Sequence, residues 1–174
     1  MRRSSCRHVA VDIETTGLFP HRGARIIEIG AVKLDSAPIV SEFHSLINCK
    51  RQIPEGVQKV HGITAEMLLE QPAPQEVFPQ LLDFLGDRTI VAHNARFDIK
   101  FLRHELARLG RGLPNPSLCT MKMSKKRYPW LPNHRLETVA KHLLGELPEG
   151  LRLHRALDDA RLTAMVWMEM EEND

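Results

Sequence analysis

The order of hydrophobic periods along this chain predicts an α/β fold: a mixed five-stranded sheet, antiparallel where the chain begins and parallel farther on, flanked by helices. Two observations carry that reading. The first third contains three strand-like runs joined by connections short enough for antiparallel pairing. From Pro54 onward apolar residues recur mainly at helical spacing, interrupted by two short strand-like runs.

His8–Thr16 is the first strand, with Val9 and Val11 on one face, and Arg25–Leu34 (RIIEIGAVKL) and Ile39–Ile47 follow, rich in β-branched residues. Thr64 opens the helical segment TAEMLLE. Pro74–Leu85 carries Val77, Leu81, Leu82 and Leu85 at helical spacing, so QLLDF (Gln80–Phe84) reads as core rather than as a docking peptide. Thr89–Ala92 is a short buried strand. It leads through His93 and Asn94 into a helix with Phe101, Leu102, Leu106 and Leu109, closed by Gly110. A weak strand near Leu118 precedes a basic, proline-containing stretch, Lys122–His134, and helices over Leu136–Leu144 and about Arg155–Met170 complete the chain. With no repeat, low-complexity run or linker, the 174 residues read as one domain, 1–174.

Composition excludes several classes. Hydrophobic residues are 43% and charged residues 26%, as in globular domains. No apolar run approaches the roughly 18 residues of a membrane span. Met1–His8 has arginines but no apolar core, so it is not a secretory signal. Cys6, Cys49 and Cys119 suit neither a disulfide framework nor a zinc site, and a cytoplasmic location is expected. The net charge of +2 argues weakly against a polyanionic partner, but acids committed to a metal would mask a more basic surface.

The informative residues are acids where a fold should not want them. In VAVDIETTG, Asp12 and Glu14 lie two apart on a strand and project from one face. Asp98 starts the apolar stripe continued by Leu102, Leu106 and Leu109, in the first turn of its helix. Asp159 repeats the design ahead of Leu162, Thr163, Val166 and Met170, while Asp158 points about 100° away. Four carboxylates gathered at one sheet end raise one another's pKa unless cations neutralise them, and two divalent ions would do so. Oxygen-only ligation favours Mg2+ or Mn2+. A pair of such ions suits phosphodiester hydrolysis. His154 lies five residues before Asp159. On a continuous helix it would face away, so the helix is expected to start after it and leave the imidazole free to accept a proton from the attacking water.

Together these residues resemble the DEDDh group of 3′→5′ exonucleases, within the ribonuclease H-like fold. The three motifs stand as VDIETTG, HNARFD and HRALDDA, with His154 and Asp159 at the family's His-x4-Asp spacing, and QKVHGIT resembles the segment after the third strand. The likeness runs to the proofreading epsilon subunit of bacterial DNA polymerase III and its stand-alone relatives. It implies that Asp12, Glu14, Asp98 and Asp159 bind two metal ions, with Asp12 bridging, and that His154 is the general base. It further implies that Thr15, Thr16 and Gly17 receive the terminal nucleotide, with Leu18 against its base and His61, Asn94 and Phe97 nearby. LCTMKM departs from the family, many members of which carry an aspartate before a Thr-Leu pair.

The resemblance implies release of nucleoside 5′-monophosphates from single-stranded 3′ ends, most simply of DNA. In KMSKKRYPWLPNHR, Lys122, Lys125, Lys126, Arg127 and Arg135 are mixed with Tyr128 and Trp130, as suits a single strand; a solvated basic loop is the competing explanation. Glu171, Glu172, Asn173 and Asp174 offer no polymerase-binding tail, so a stand-alone nuclease is expected, with polymerase association left open. An exoribonuclease (RNA-trimming or oligoribonuclease-like) and a non-catalytic nucleic-acid-binding module are the alternatives.

Overall fold

The computed structural model describes residues 7–34 and 41–172. Five strands, β1 (His8–Thr15), β2 (Ile26–Leu34), β3 (Glu42–Leu46), β4 (Thr89–Ala92) and β5 (Ser117–Cys119), form one sheet in the order β3-β2-β1-β4-β5. The β1–β2 and β2–β3 pairs are antiparallel, and β4 joins β1, and β5 joins β4, in parallel, as the sequence predicts. The helices are α1 (Glu55–His61), α2 (Ala65–Leu68), α3 (Pro74–Leu85), α4 (Ala95–Arg108), α5 (Thr120–Arg127), α6 (Leu136–Leu144) and α7 (Ala156–Glu172). Met1–Cys6, Ile39–Val40 of the expected third strand, and Asn173–Asp174 lie outside the described residues.

The period-two alternation of β1 sorts its side chains between two helical layers. Val9, Val11 and Ile13 face Val77 and Leu81 of α3 and Phe101, Leu102 and Leu106 of α4. Ala10, with Val32 of β2, packs against Ala160 and Ala164 of α7, where small side chains let helix and sheet approach closely. At Gly30 of β2 the approach is closer still. A Cβ there would lie 2.3 Å from the Ala156 carbonyl and the Leu157 amide, so only glycine admits the first turn of α7.

Two helices went unforeseen. EGVQKVH has no regular apolar period, yet α1 forms and ends at Gly62, whose left-handed backbone (φ 72°) lets its amide close the last turn onto Gln58 at 2.7 Å. The basic stretch Lys122–His134, where no helix is expected, begins inside α5, whose buried residues are the small polar Thr120 and Ser124. Among the described residues no helix is long and apolar enough to cross a membrane.

Candidate active site

Asp12 and Glu14 share the face of β1 turned toward α7, opposite Gly30 and Glu28 of β2 in the strand register. Asp98 enters from α4, in the first helical turn after β4, 3% exposed. Asn94 makes the turn between them in the left-handed region (φ 68°). Asp159 arrives one turn into α7, 8% exposed. The Glu14, His154 and Asp159 side chains offer ligand atoms within 4.8 Å of one another. The helix starts at Ala156, two residues past His154. That histidine sits in a left-handed turn (φ 62°) with its side chain exposed, while its amide donates to Asp159 Oδ2 at 3.0 Å.

The start of α7 is held by Glu28, which is fully buried. It accepts from Arg155 Nη2 (2.7 Å) and Nε (3.2 Å), from the Ala156 amide (3.1 Å) and from the His44 ring (2.8 Å). Burial alone would raise its pKa; the bonds from His44, Arg155 and Ala156 outweigh that and hold it near 2. The other acids have no side-chain cation bonded to them, only backbone amides at Asp98 and Asp159. Burial, then the charges of Asp98, Asp159 and Glu14, push Asp12 well above the ordinary carboxylate range. Burial, then Asp159 and Glu28, carries Glu14 to about 8. Burial raises Asp159 to about 6 despite the His154 amide, and burial with the Glu14 charge raises Asp98. Asp159 Oδ1 is buried without a hydrogen-bond partner. Four carboxylates with elevated pKa values and an orphaned oxygen fit divalent cations, which prefer oxygen donors.

The loop leaving β1 is pinned by Thr16, whose amide bonds to the Arg25 carbonyl (2.9 Å) and whose hydroxyl accepts from the Arg25 amide (3.0 Å); Thr15 Oγ1 donates to the Gly17 carbonyl (2.7 Å). Leu18 is 68% exposed on this loop and belongs to no core. His61 closes α1 next to the Thr15 backbone. Its Nδ1 accepts from the Ile63 amide (3.0 Å), which leaves Nε2 as its N–H, buried against the Thr15 backbone. Phe97 is partly buried, its ring 4.8 Å from that of Phe101.

Sequence reasoning missed Glu28 and Glu105. Glu105 lies on the inward stripe of α4 and takes two bonds from Arg25, at 2.6 and 2.8 Å, tying α4 to the strand that follows the Thr15–Leu18 loop. The signal was present in both cases, an acid among apolar neighbours (RIIEIG and HELARL).

The mixed β3-β2-β1-β4-β5 sheet flanked by helices is the fold of ribonuclease H-like exonucleases, and acids from β1, α4 and α7 meet at one of its ends. The chain belongs to the exonuclease family, whose model (RNase_T) matches residues 9–167. It is 37% identical over 165 residues to DNA polymerase III subunit epsilon of Aquifex aeolicus, covering 94% of this chain and 80% of that protein. It is 41% identical over 162 residues to the PolC-type DNA polymerase III of Clostridium perfringens, covering 91% of this chain but only 11% of that much longer protein. Among solved structures, exonuclease X in complex with 5′-overhanging duplex DNA superposes with a TM-score of 0.78 at 29% identity, over 96% of this chain and 92% of that one. The nuclease domain of 3′hExo, a DEDDh family member bound to rAMP, shares the fold (TM-score 0.83, 19% identity, 99% and 95% coverage).

Proposed function

We propose that this chain is a divalent-metal-dependent 3′→5′ exonuclease that removes nucleoside 5′-monophosphates from single-stranded DNA ends. One observation carries the reading: Asp12, Glu14, Asp98 and Asp159 converge with raised pKa values, and Arg155, whose charge also acts on Glu14, is committed to Glu28. Those four residues would hold two ions, Mg2+ or Mn2+. When bound, such ions neutralise the phosphate and polarise its attacked and leaving oxygens.

The remaining roles belong to this chain's own side chains. The exposed His154 ring stands beside Glu14 and Asp159, able to take the proton of the attacking water. The Thr15–Gly17 backbone, held rigid by Thr16 and Arg25, receives the terminal nucleotide, and the buried His61 ring backs the Thr15 end of that loop. Exposed Leu18 and the edge of Phe97 face the base, with Asn94 at the turn beside them. The polarity follows the epsilon-subunit likeness.

The test offers 5′-labelled single-stranded DNA, duplex DNA and RNA of one sequence with Mg2+ or Mn2+. A ladder shortening from the 3′ end, fastest on single-stranded DNA, is expected. Faster shortening of RNA would make the chain an exoribonuclease, and no shortening of any substrate would leave a binding module.

A further inference from the structure

Residues 120–135 contain five cations, Lys122, Lys125, Lys126, Arg127 and Arg135, and no acid. Arg127 turns inward and donates to the Met170 carbonyl of α7. Thr120 and Ser124 are completely buried, so α5 keeps Lys122, Lys125 and Lys126 on its exposed side. Beyond α5 the chain turns through Pro129 and Trp130, and the Leu131 amide closes this turn on the Tyr128 carbonyl (3.1 Å). Proline at the second position of such a turn fixes its backbone in advance. Tyr128 and Leu131, the ends of the turn, pack into the cluster of Val139, Leu162, Val166 and Met170. Trp130 does not. Its indole is 68% exposed, whereas the only other tryptophan, Trp167, is 5% exposed.

Trp130 heads a small aromatic cluster. Its ring lies 5.8 Å from that of Tyr128 and 6.3 Å from that of His142 on α6, and Tyr128 and His142 stand 4.9 Å apart. Both Trp130 contacts are edge-on (78° and 77°), and most of the indole is left open to solvent. None of the three rings lies on the wall of the cavity around His154 and Asp159, although Lys125 does. The excursion is nevertheless fixed at both ends to the turn that presents Asp98. The His93 ring in that turn bonds to Thr120 Oγ1 (2.9 Å) and to the His134 carbonyl (2.8 Å). At about 1.5 Å of rise per residue, the 8 residues of α5 carry the chain ~12 Å away before Trp130 is reached. The indole is thus rigidly placed and remote from the metal-binding acids.

We propose that the Trp130 tip is a base-stacking platform for single-stranded nucleic acid, holding a nucleotide remote from the end being cut while the lysines of α5 meet intervening phosphates. The site rests on the nuclease reading and adds to it a second, distant hold on the strand. Cations without acids, running up to an exposed indole, match a polymer in which phosphates alternate with flat bases. A patch built for a protein partner would instead be depleted of lysine. Every base has a π-face, and stacking reads neither base edges nor the sugar, so the platform takes any sequence of DNA or RNA. Strands too short to span the metal site and Trp130 lose this hold.

With one tryptophan exposed and the other buried, intrinsic fluorescence reports on Trp130 directly. In EDTA, where nothing is cut, saturating single-stranded oligothymidine of about 12 nucleotides quenches it. Thymidine 5′-monophosphate, which fills only the terminal-nucleotide site, does not. The quench is lost in Trp130→Phe. By anisotropy of the 5′-labelled oligomer, Trp130→Ala weakens binding at least ~5-fold, and Trp130→Phe keeps most of the affinity because its ring still stacks. Thermal melts verify that the variants fold, as expected for surface substitutions. An absent quench, an equal quench by the mononucleotide, or unchanged affinity in Trp130→Ala overturns the platform, and 3′ shortening by the wild type still upholds the nuclease. A quench with no shortening in Mn2+ overturns the nuclease and leaves the platform standing.

Discussion

Glu14 and Glu28 oppose each other across β1 and β2 on the same side of the sheet, yet one titrates near 8 and the other near 2. The difference is the company each keeps. Glu28 receives an arginine, a histidine and an amide, and Glu14 has mainly other carboxylates. Charging Glu14 and Asp159 therefore opposes folding when no metal is present. Their contribution to stability falls as pH rises from their ordinary values of 4.5 and 3.8 through about 8 and 6. Glu28 behaves oppositely: its contribution is complete above 4.5 and is lost as pH falls toward 2. In EDTA, Tm should fall from pH 5 to pH 8, and Mn2+ should raise Tm more at pH 8 than at pH 5; a Tm that rises with pH in EDTA would contradict the assignment. Asp159→Ala should remove turnover together with Mn2+ uptake measured by calorimetry. His154→Ala should slow turnover by about 10²–10⁴-fold while leaving that uptake in place.

At the scale of elements, the decisive contact is the first turn of α7 on β2. Glu28 clamps Arg155 and Ala156, and Gly30 leaves room for the backbone beside them. That single docking places both Asp159 and the His154 turn. Gly30→Ala forces the helix outward and should cost about 1–3 kcal/mol in urea denaturation, as overpacking does, with loss of turnover exceeding the loss of fold. Glu28→Ala leaves a half-buried arginine without its counter-ion and should cost up to about 3–5 kcal/mol. Elements with strong periods were legible: β1, β2, α3, α4, α6 and α7 fall within two residues of expectation. α1 and α5 were not. Few of their side chains reach the core, so no apolar period marks them, and contacts made elsewhere in the fold stabilise them.

For the whole molecule, a net charge of +2 conceals a separation between a buried acidic end and basic surfaces around it. Single-strand binding should weaken with salt, log K falling by about 0.7 per neutralised phosphate for each unit of log salt. Fluorescence titration of a labelled oligonucleotide at several salt concentrations should return that linear dependence, and an affinity indifferent to salt would contradict phosphate recognition.

By itself the sequence determined the strand order, the helices with strong apolar periods and the elements that carry Asp12, Glu14, Asp98, His154 and Asp159, because periods of 2 and 3.6 dictate which side chains share a face. It also contained Glu28 and Glu105, which look like the other misplaced acids when read along the chain. Only the tertiary structure decided which acids keep a protein cation. Arg155 reaches Glu28 across 127 positions, and Arg25 reaches Glu105 across 80. Partners that far apart carry no local pattern, whereas their charges, once brought together, separate the acids that hold the fold from those left without a cation.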